Sequence, residues 1–267
     1  MPGRLDRATL TPVGPGVLTV TWDRSEPCAQ VRTAGPGGAW LADRAPALLG
    51  LLDDPTGFAP ARGPLHELWR RRRGDRVGAT GTLWHDLAWT VLKQRVTRAE
   101  AAAQWSRLVR ALGTPVPGSD LVVPPSPQAV ARLTYDRLHP LGIERQRAQH
   151  LVEAARCAHR LNRDPGRDPG AALAALAQVR GVGPWTLACL ATTTYGDADT
   201  VITGDSGIPS MVSWLLAGER RGDDARMLEL LEPYRPHRYR VVRLAFAGGT
   251  RPPRRASRAA VHDVRGR

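Results

Sequence analysis

Residues 176–189 read LAQVRGVGPWTLAC, and this stretch decides the fold. An apolar segment that ends at Val179 is followed by a Gly-x-Gly turn, and Pro184 then stands where a new helix begins. Glycine permits the positive φ of a tight turn, and proline is favoured at the first position of a helix. Such a turn presents backbone N–H groups at a helix N-terminus, where phosphate binds readily. An ordinary helix–helix connection is the alternative interpretation.

The charge of the chain points to a polyanionic partner. Lys and Arg total 38 against 25 Asp and Glu, which gives a net charge of +13 and a pI near 11.1. Nucleic acid is the first expectation and a membrane surface the second. Plain solubility charge, or an arginine-rich genome, is the alternative. Two basic clusters, 70–73 and 251–258, serve either as further phosphate contacts or as solvated charge.

The three cysteines argue against a metal centre. Cys28, Cys157 and Cys189 are far apart and form no CxxC pair, so neither a zinc site nor an iron–sulfur cluster is indicated. A sparse, odd number of cysteines is typical of a reducing cytoplasm. The N-terminus has no apolar signal core, and no apolar run approaches the ~18 residues of a membrane helix. We therefore expect a cytoplasmic protein without a membrane partner, associated with the nucleoid in a bacterium.

The hydrophobic pattern predicts a mostly α protein with a small N-terminal α+β domain. Strands are predicted over 17–22 and 29–33, and a short helix over 45–52. Thr97 is a predicted N-cap, with Glu100 at the capping-box position. Helices are predicted over 83–96, 98–112, 128–138, 144–161, 171–179, 184–194, 206–216, 224–231 and 236–246. The predicted domains are 1–75, 76–249 and a basic, disordered tail over 250–267.

Four stretches occur together in an order found in one protein superfamily. Residues 92–97 read LKQRVT, Leu141-Gly142-Ile143 precedes Arg147-Ala148, and 196–205 read GDADTVITGD after the hairpin. Over roughly residues 80–248 the chain resembles the helix-hairpin-helix (HhH-GPD) DNA glycosylase superfamily. The N-terminal α+β segment makes it most similar to the 3-methyladenine DNA glycosylase II (AlkA-type) group. The resemblance implies a helical bundle in two lobes and base-excision repair.

Asp205 matches the essential aspartate of this superfamily. Cleavage of an N-glycosidic bond builds positive charge on the sugar, and a carboxylate beneath it stabilises that charge and can orient or deprotonate water. Asp205 also precedes a predicted helix, so an N-cap is the alternative role. Asp197 and Asp199 are interpreted as loop and capping residues.

Trp185 indicates the subclass and part of the substrate pocket. Relatives that also cut the strand carry a lysine here as an amine nucleophile, so the tryptophan favours a monofunctional enzyme that uses water. The indole face suits alkylated purines, which are cationic and leave easily; a core role is the alternative. Cys189, Tyr234 and His237 complete the predicted pocket, although the resemblance would put aromatic residues at these positions, tryptophan in place of Tyr234 and His237. His237 is interpreted as a packing or hydrogen-bonding residue rather than a general acid.

The resemblance also implies how DNA binds. The target base must leave the duplex, and Gln94 and Arg95 lie where the superfamily places its wedge and minor-groove contacts. The superfamily usually has an apolar wedge at this position. Arg95 is therefore expected either to act as the wedge or to contact phosphate or the orphan base instead. The predicted partner is double-stranded DNA, bound by a monomer. No cofactor is required, and the resemblance allows a monovalent cation on hairpin carbonyls without side-chain ligands. The predicted DNA-binding residues are Gln94, Arg95, Thr97, Arg180, Gly181, Val182, Gly183 and Thr186.

Other functions are open at this point. A DNA- or lesion-binding protein that has lost catalysis would keep the hairpin and the positive charge. A helix-hairpin-helix scaffold module would not need the segment at Gln94 or the aspartate loop. A glycosylase for mismatched adenine or oxidised bases is an enzyme alternative. The retained Asp205 favours hydrolysis of the glycosidic bond of a damaged, alkylated purine.

Overall fold

The structure is a computed structural model, and it describes residues 3–23, 25, 28–161 and 168–252. Two compact units form: Arg76–Gly204 with the chain up to Thr56, and Gly57–Asp75 with the chain from Asp205 onward. The boundaries of these units differ from the predicted domain boundary at 75/76, because the N-terminal sheet belongs to the same unit as Arg76–Gly204. The predicted division into domains stays a prediction. Most of the predicted tail, 253–267, lies outside the described residues.

The first unit begins with a three-stranded antiparallel sheet in the order β1–β2–β3. Its strands are β1 (Gly3–Thr11), β2 (Gly14–Trp22) and β3 (Ala29–Ala34), and they are followed by helix α1 (Gly38–Leu48). Alternate residues of β2 are buried on opposite faces, as a strand requires. Leu18 and Val20 pack against α1, while Val17 packs against Val116 and Val123.

The predicted helix over 45–52 is wrong in its bounds. The helix spans α1, and Gly50 follows it with a φ of 75° that ends the helical run. Leu51 and Leu52 are 71% and 75% exposed in the turn beyond it. The apolar run at 45–52 is typical of a helix, but the glycine within that run ends the helix. Strand β1 was not predicted, because charged residues interrupt its apolar alternation.

The remaining elements are helical with one small exception, a two-stranded ladder in the proline-rich segment. In the first unit they are α3 (Leu83–Leu92), α4 (Arg98–Leu112), β4 (Thr114–Pro115), β5 (Val122–Val123), α5 (Pro127–Val130), α6 (Tyr135–Leu138), α7 (Arg145–Leu161), α8 (Pro169–Ala177) and α9 (Pro184–Thr194). In the second unit they are α2 (Pro64–Arg71), α10 (Ile208–Ala217), α11 (Asp224–Leu231) and α12 (Arg238–Ala247). Single 3-10 turns lie at His139–Leu141 and Glu232–Tyr234.

Helix α3 is the centre of the first unit. It packs against α7 and α9, and its residues Leu87, Val91 and Leu92 are fully buried. Burying such side chains stabilises a fold by about 1.5–3 kcal/mol each. The predicted helix over 83–96 is longer than α3, which ends at Leu92 because the chain turns over the next four residues.

The second unit is a small helical cluster. Helix α10 packs against α11, α12 and α2, and Val212, Met227, Leu231 and Val241 are fully buried in it. Arg243 donates to Asp75 at 2.7 Å, which joins α12 to the end of the segment that carries α2. The twelve α-helices of the described residues and the N-terminal antiparallel sheet confirm the predicted mostly α fold.

Candidate nucleic-acid interface and active site

The hairpin between α8 and α9 is a tight turn with an open helix N-terminus. Gly181 has a φ of 87°, and the Val182 side chain is buried at 4% exposure. Gly183 caps α9 in an extended conformation, and a Cβ there would meet nothing within 4 Å. Pro184 has no N–H, so the first amides that α9 offers belong to Trp185 and the residue after it. Exposed amides at a helix N-terminus are a site for an anion.

Gln94 fastens the hairpin to the end of α3. Its Nε2 donates to the carbonyl of Gly181 at 2.8 Å and to Thr186 Oγ1 at 3.1 Å. Gln94 and Thr186 were predicted as DNA contacts, and the structure turns these polar groups towards each other inside the protein. Thr186 is 1% exposed. Their observed role is to hold the hairpin in place.

His150, which the sequence analysis missed, packs beneath the hairpin. A Cβ at Gly181 would overlap its ring, and its Nδ1 lies 3.4 Å from Gln94 Oε1. Burial and the neighbouring charge of Arg180 lower the pKa of His150, which Glu144 partly offsets. The ring is therefore mostly neutral at neutral pH. Its three-residue spacing from Arg147 on α7 was the available signal.

The turn after α3 presents Arg95 to solvent. Its φ of 60° makes it the single non-glycine residue with positive φ among those the structure describes. The exposed guanidinium donates to Gln146 Oε1 at 3.4 Å. Left-handed backbone at a non-glycine residue costs about 1–3 kcal/mol and is concentrated at functional sites. Thr97, two residues on, caps α4 by accepting from the amide of Glu100 at 3.2 Å, as its predicted N-cap role requires.

Arg147 supports this turn from inside. The side chain is 4% exposed, and its NH1 donates to the carbonyl of Leu92 at 3.1 Å and to Gln104 Oε1 at 2.8 Å. Glu100 and Glu144 lie within 3.7 Å of the guanidinium. Its charge is therefore compensated, and the last carbonyl of α3 has a fixed donor. The matched Arg147 of the sequence pattern is thus a structural residue.

Trp185 lies on the first turn of α9 and is half-buried. The Nζ of Lys93 is 5.3 Å from the centroid of its ring. Cys189 lies one helical turn beyond and is buried at 8% exposure. Arg180 is exposed on the hairpin itself. The tryptophan, a lysine and the hairpin thus come together in the first unit, and the lysine was not among the predicted site residues.

Asp205 is the first residue of the second unit and lies just before helix α10. Its Oδ1 accepts from the amides of Gly207 at 2.8 Å and of Ile208 at 3.0 Å, and the residue is half-buried. The predicted helix start at Ser206 lies two residues too early, because α10 begins at Ile208 with Gly207 as its N-cap residue. Asp197, in the preceding loop, accepts from the amides of Asp199 and Thr200 and is a loop-forming residue.

Tyr234 and His237 meet Phe58 within the second unit. The ring of His237 lies 5.6 Å from that of Phe58 in an edge-on arrangement, and the Tyr234 ring lies 6.4 Å from it. His237 is buried at 7% exposure, which agrees with a packing role. Burial raises the pKa of Tyr234, so its hydroxyl stays protonated at neutral pH. No sequence pattern marks Phe58 as part of this aromatic group.

The described residues hold neither a candidate metal centre nor a candidate membrane span. No group of three or more His, Cys, Asp or Glu side chains there could hold a metal ion. No helix in the same part of the chain is long and apolar enough to cross a membrane. Cys28, Cys157 and Cys189 form no disulfide bond in the part of the chain that the structure describes.

Residues 88–236 match the HhH-GPD superfamily, described as base excision DNA repair proteins. This match spans more than half of the chain, and the protein therefore belongs to the HhH-GPD superfamily. Its class of activity is that of a DNA glycosylase, and its class of ligand is DNA. The resemblance inferred from the sequence is confirmed. A search of curated protein sequences finds no match.

Several solved structures of DNA glycosylases share the fold of this chain. A 3-methyladenine DNA glycosylase from Archaeoglobus fulgidus has a TM-score of 0.74 and 19% identity, over 91% of this chain and 86% of that one. An 8-oxoguanine glycosylase/lyase from Clostridium acetobutylicum, solved with double-stranded DNA, has a TM-score of 0.62 and 12% identity, over 91% of this chain and 87% of that one. A 3-methyladenine DNA glycosylase from Schizosaccharomyces pombe, solved with abasic DNA, has a TM-score of 0.54 and 14% identity, over 71% of this chain and 91% of that one. Identities this low show a shared fold.

Proposed function

We propose that the protein is a monofunctional DNA glycosylase that removes damaged, alkylated purines from double-stranded DNA by hydrolysis. The hairpin is the observation that carries this proposal. Gln94 bonds to the carbonyl of Gly181 in this hairpin, and a Cβ at Gly183 would meet nothing within 4 Å, so the backbone there is open to a ligand. Phosphate contacts position a protein on DNA without reading sequence, as repair of scattered lesions requires.

Base flipping is assigned to the turn after α3. Arg95 is exposed and held in a left-handed conformation, on a turn that Arg147 anchors from inside. A rigid, projecting side chain can enter the space that a flipped nucleotide leaves. A guanidinium can also donate to the orphan base or to a phosphate. Arg95 therefore replaces the apolar wedge that the resemblance implies.

Asp205 is proposed as the catalytic residue. Its Oδ1 is held by two backbone amides, so the carboxylate is preorganised. A fixed negative charge stabilises the sugar as the C1′–N9 bond breaks, and it can accept a proton from the attacking water. Trp185 stands where a nucleophilic lysine would be needed for strand cleavage. The proposed product is therefore an intact abasic site.

The remaining features of the proposal follow from the same residues. The hairpin carbonyls of Val179 and Gly181 accept from Val182 N and from Gln94, and each carbonyl has a second lone pair. Neutral oxygens of this kind suit a monovalent cation, which would add positive charge beside the phosphate site. We propose no other cofactor and no iron–sulfur cluster. The protein is proposed to act as a monomer in the cytoplasm, at the nucleoid of a bacterium.

The test compares the native chain with Asp205→Asn on methylated duplex DNA. Asparagine keeps an oxygen for the amides of Gly207 and Ile208, so the fold and the cap are retained. We expect base release to fall by at least ~10²-fold while DNA affinity is unchanged. Asp199→Asn, in the same loop, is the matched control and should keep the native rate. If the native chain binds DNA and releases no base, lesion binding without catalysis replaces the proposal.

A further inference from the structure

We propose that Lys93 makes the enzyme prefer uncharged damaged purines over cationic ones. This inference rests on the proposed function and names its substrate class. Adducts such as 1,N6-ethenoadenine are uncharged alkylated purines, whereas 7-methylguanine in DNA carries a positive charge. The two kinds differ in how they respond to a cation held beside the base.

Lys93 is the only lysine in the chain, among 38 basic residues. Everywhere else the chain uses arginine, a larger and more weakly hydrated cation that forms planar, forked contacts. The single compact ammonium group lies beside the predicted base-stacking residue. Its Nζ is 5.3 Å from the ring centroid of Trp185 and 6.0 Å from that of Trp89. Within the described residues, the structure records no ion pair to this ammonium.

The backbone around Lys93 is held on both sides. The carbonyl of Leu92 accepts from the buried Arg147, and Gln94 is bonded to the hairpin carbonyl of Gly181. Trp185 follows the same hairpin along the chain. Because both neighbours of Lys93 are anchored, its half-buried side chain starts from a fixed point, and its ammonium lies near both indole rings.

An ammonium near an indole ring changes what that ring attracts. An indole face alone favours cations, and Lys93 already supplies one. A base stacked on either face of Trp185 lies within about 9 Å of Nζ, at a contact distance of about 3.5–4 Å from the ring. At that distance a cationic base is disfavoured about 2- to 20-fold, depending on the effective dielectric constant. The distance is also within about one Debye length at physiological salt.

The same charge assists departure of a neutral base. When the C1′–N9 bond breaks, its electron pair stays on N9 and the base becomes an anion until it takes up a proton. Water bonds to C1′ and loses a proton, so atoms and charge balance. A nearby ammonium stabilises the developing anion. A cationic base leaves as a neutral molecule and gains nothing from it. The two effects change the rate ratio in one direction, by at least about fourfold together.

The experiment uses the full chain and duplexes that contain one 1,N6-ethenoadenine or one 7-methylguanine. Single-turnover release rates are measured for the native chain, Lys93→Met, Lys93→Arg and Arg98→Met. We expect Lys93→Met to lower the ratio of ethenoadenine to methylguanine release by at least about fourfold. Lys93→Arg keeps the charge, and Arg98→Met removes one from the exposed start of α4; both should stay within about twofold of native. A native-like ratio for Lys93→Met, with a native-like Tm, overturns the inference.

Affinity for the same duplexes separates this inference from the proposed function. If the native chain releases neither base, the glycosylase proposal fails, and the charge preference is still measured by binding. We then expect tighter binding of the ethenoadenine duplex by the native chain and a smaller difference for Lys93→Met. Equal native affinities, or a difference unchanged by Lys93→Met, overturn the role of Lys93.

Discussion

Gly181→Ala tests whether the hairpin geometry determines both stability and DNA binding. Alanine at a φ of 87° must adopt left-handed backbone, which costs about 1–2 kcal/mol. Its Cβ would also overlap the ring of His150, and overpacking of this kind costs about 1–3 kcal/mol. The free energy of unfolding should therefore fall by about 2–5 kcal/mol. Displacement of His150 should also loosen Gln94 and weaken DNA binding.

Urea unfolding followed by tryptophan fluorescence measures the loss, and fluorescence anisotropy with labelled duplex measures DNA affinity. In the double variant Gly181→Ala/His150→Ala, the loss of unfolding free energy that comes from overlap with the His150 ring should disappear. The loss that comes from the left-handed backbone should remain. Gly183→Ala is the matched control, because a Cβ there meets nothing within 4 Å. It should change stability by less than about 1 kcal/mol and still weaken DNA binding, since the new methyl group faces the phosphate. A Gly181→Ala variant as stable as the native chain refutes the steric argument, and native DNA affinity for Gly183→Ala refutes the phosphate site.

Three further predictions concern single side chains. Burial and the charge of Arg7 lower the pKa of His85 to about 3, so unfolding takes up a proton below pH ~6.5. The free energy of unfolding should be at its full value above that pH and decline below it by up to about 1.4 kcal/mol per pH unit. His85→Gln should make the urea midpoint less dependent on pH between pH 7 and pH 4. Arg147→Met leaves buried acceptors unpaired and should cost about 3 kcal/mol in urea unfolding, whereas a loss under 1 kcal/mol would contradict its anchoring role. Arg95→Gly should relieve the left-handed backbone, raise stability by about 1 kcal/mol and slow base release at least about tenfold; unchanged release would remove Arg95 from base flipping.

Local signals determined the elements that were predicted well. Helices α9 and α11 have the predicted bounds, because Pro184 and Asp223 mark their starts with specific chemistry. Predicted helix 128–138 is wrong as one piece, since the structure breaks it into α5 and α6. Thr134 is the N-cap residue of α6, and the weak periodicity of this segment did not mark it as a second helix start.

The contacts that position the site were beyond reach of sequence patterns. Gln94 and Gly181 are 87 residues apart, and nothing in either segment specifies that they bond. The left-handed turn at Arg95 was hidden, because arginine carries no preference for positive φ. Lys93 lies within the segment LKQRVT, and nothing in that segment marks it as a site residue. Packing of α3 against α9 is what brings it to Trp185.

The most direct test of the central claim is product analysis on a duplex with one alkylated purine and a label on the damaged strand. We predict release of the free base by the native chain and a strand that remains whole until alkali cleaves it at the abasic site. Asp205→Asn should leave the base attached. Strand cleavage without alkali, trapped as a covalent complex by borohydride, would contradict the hydrolytic mechanism. Absence of base release with retained DNA binding would contradict the claim that the protein removes alkylated purines.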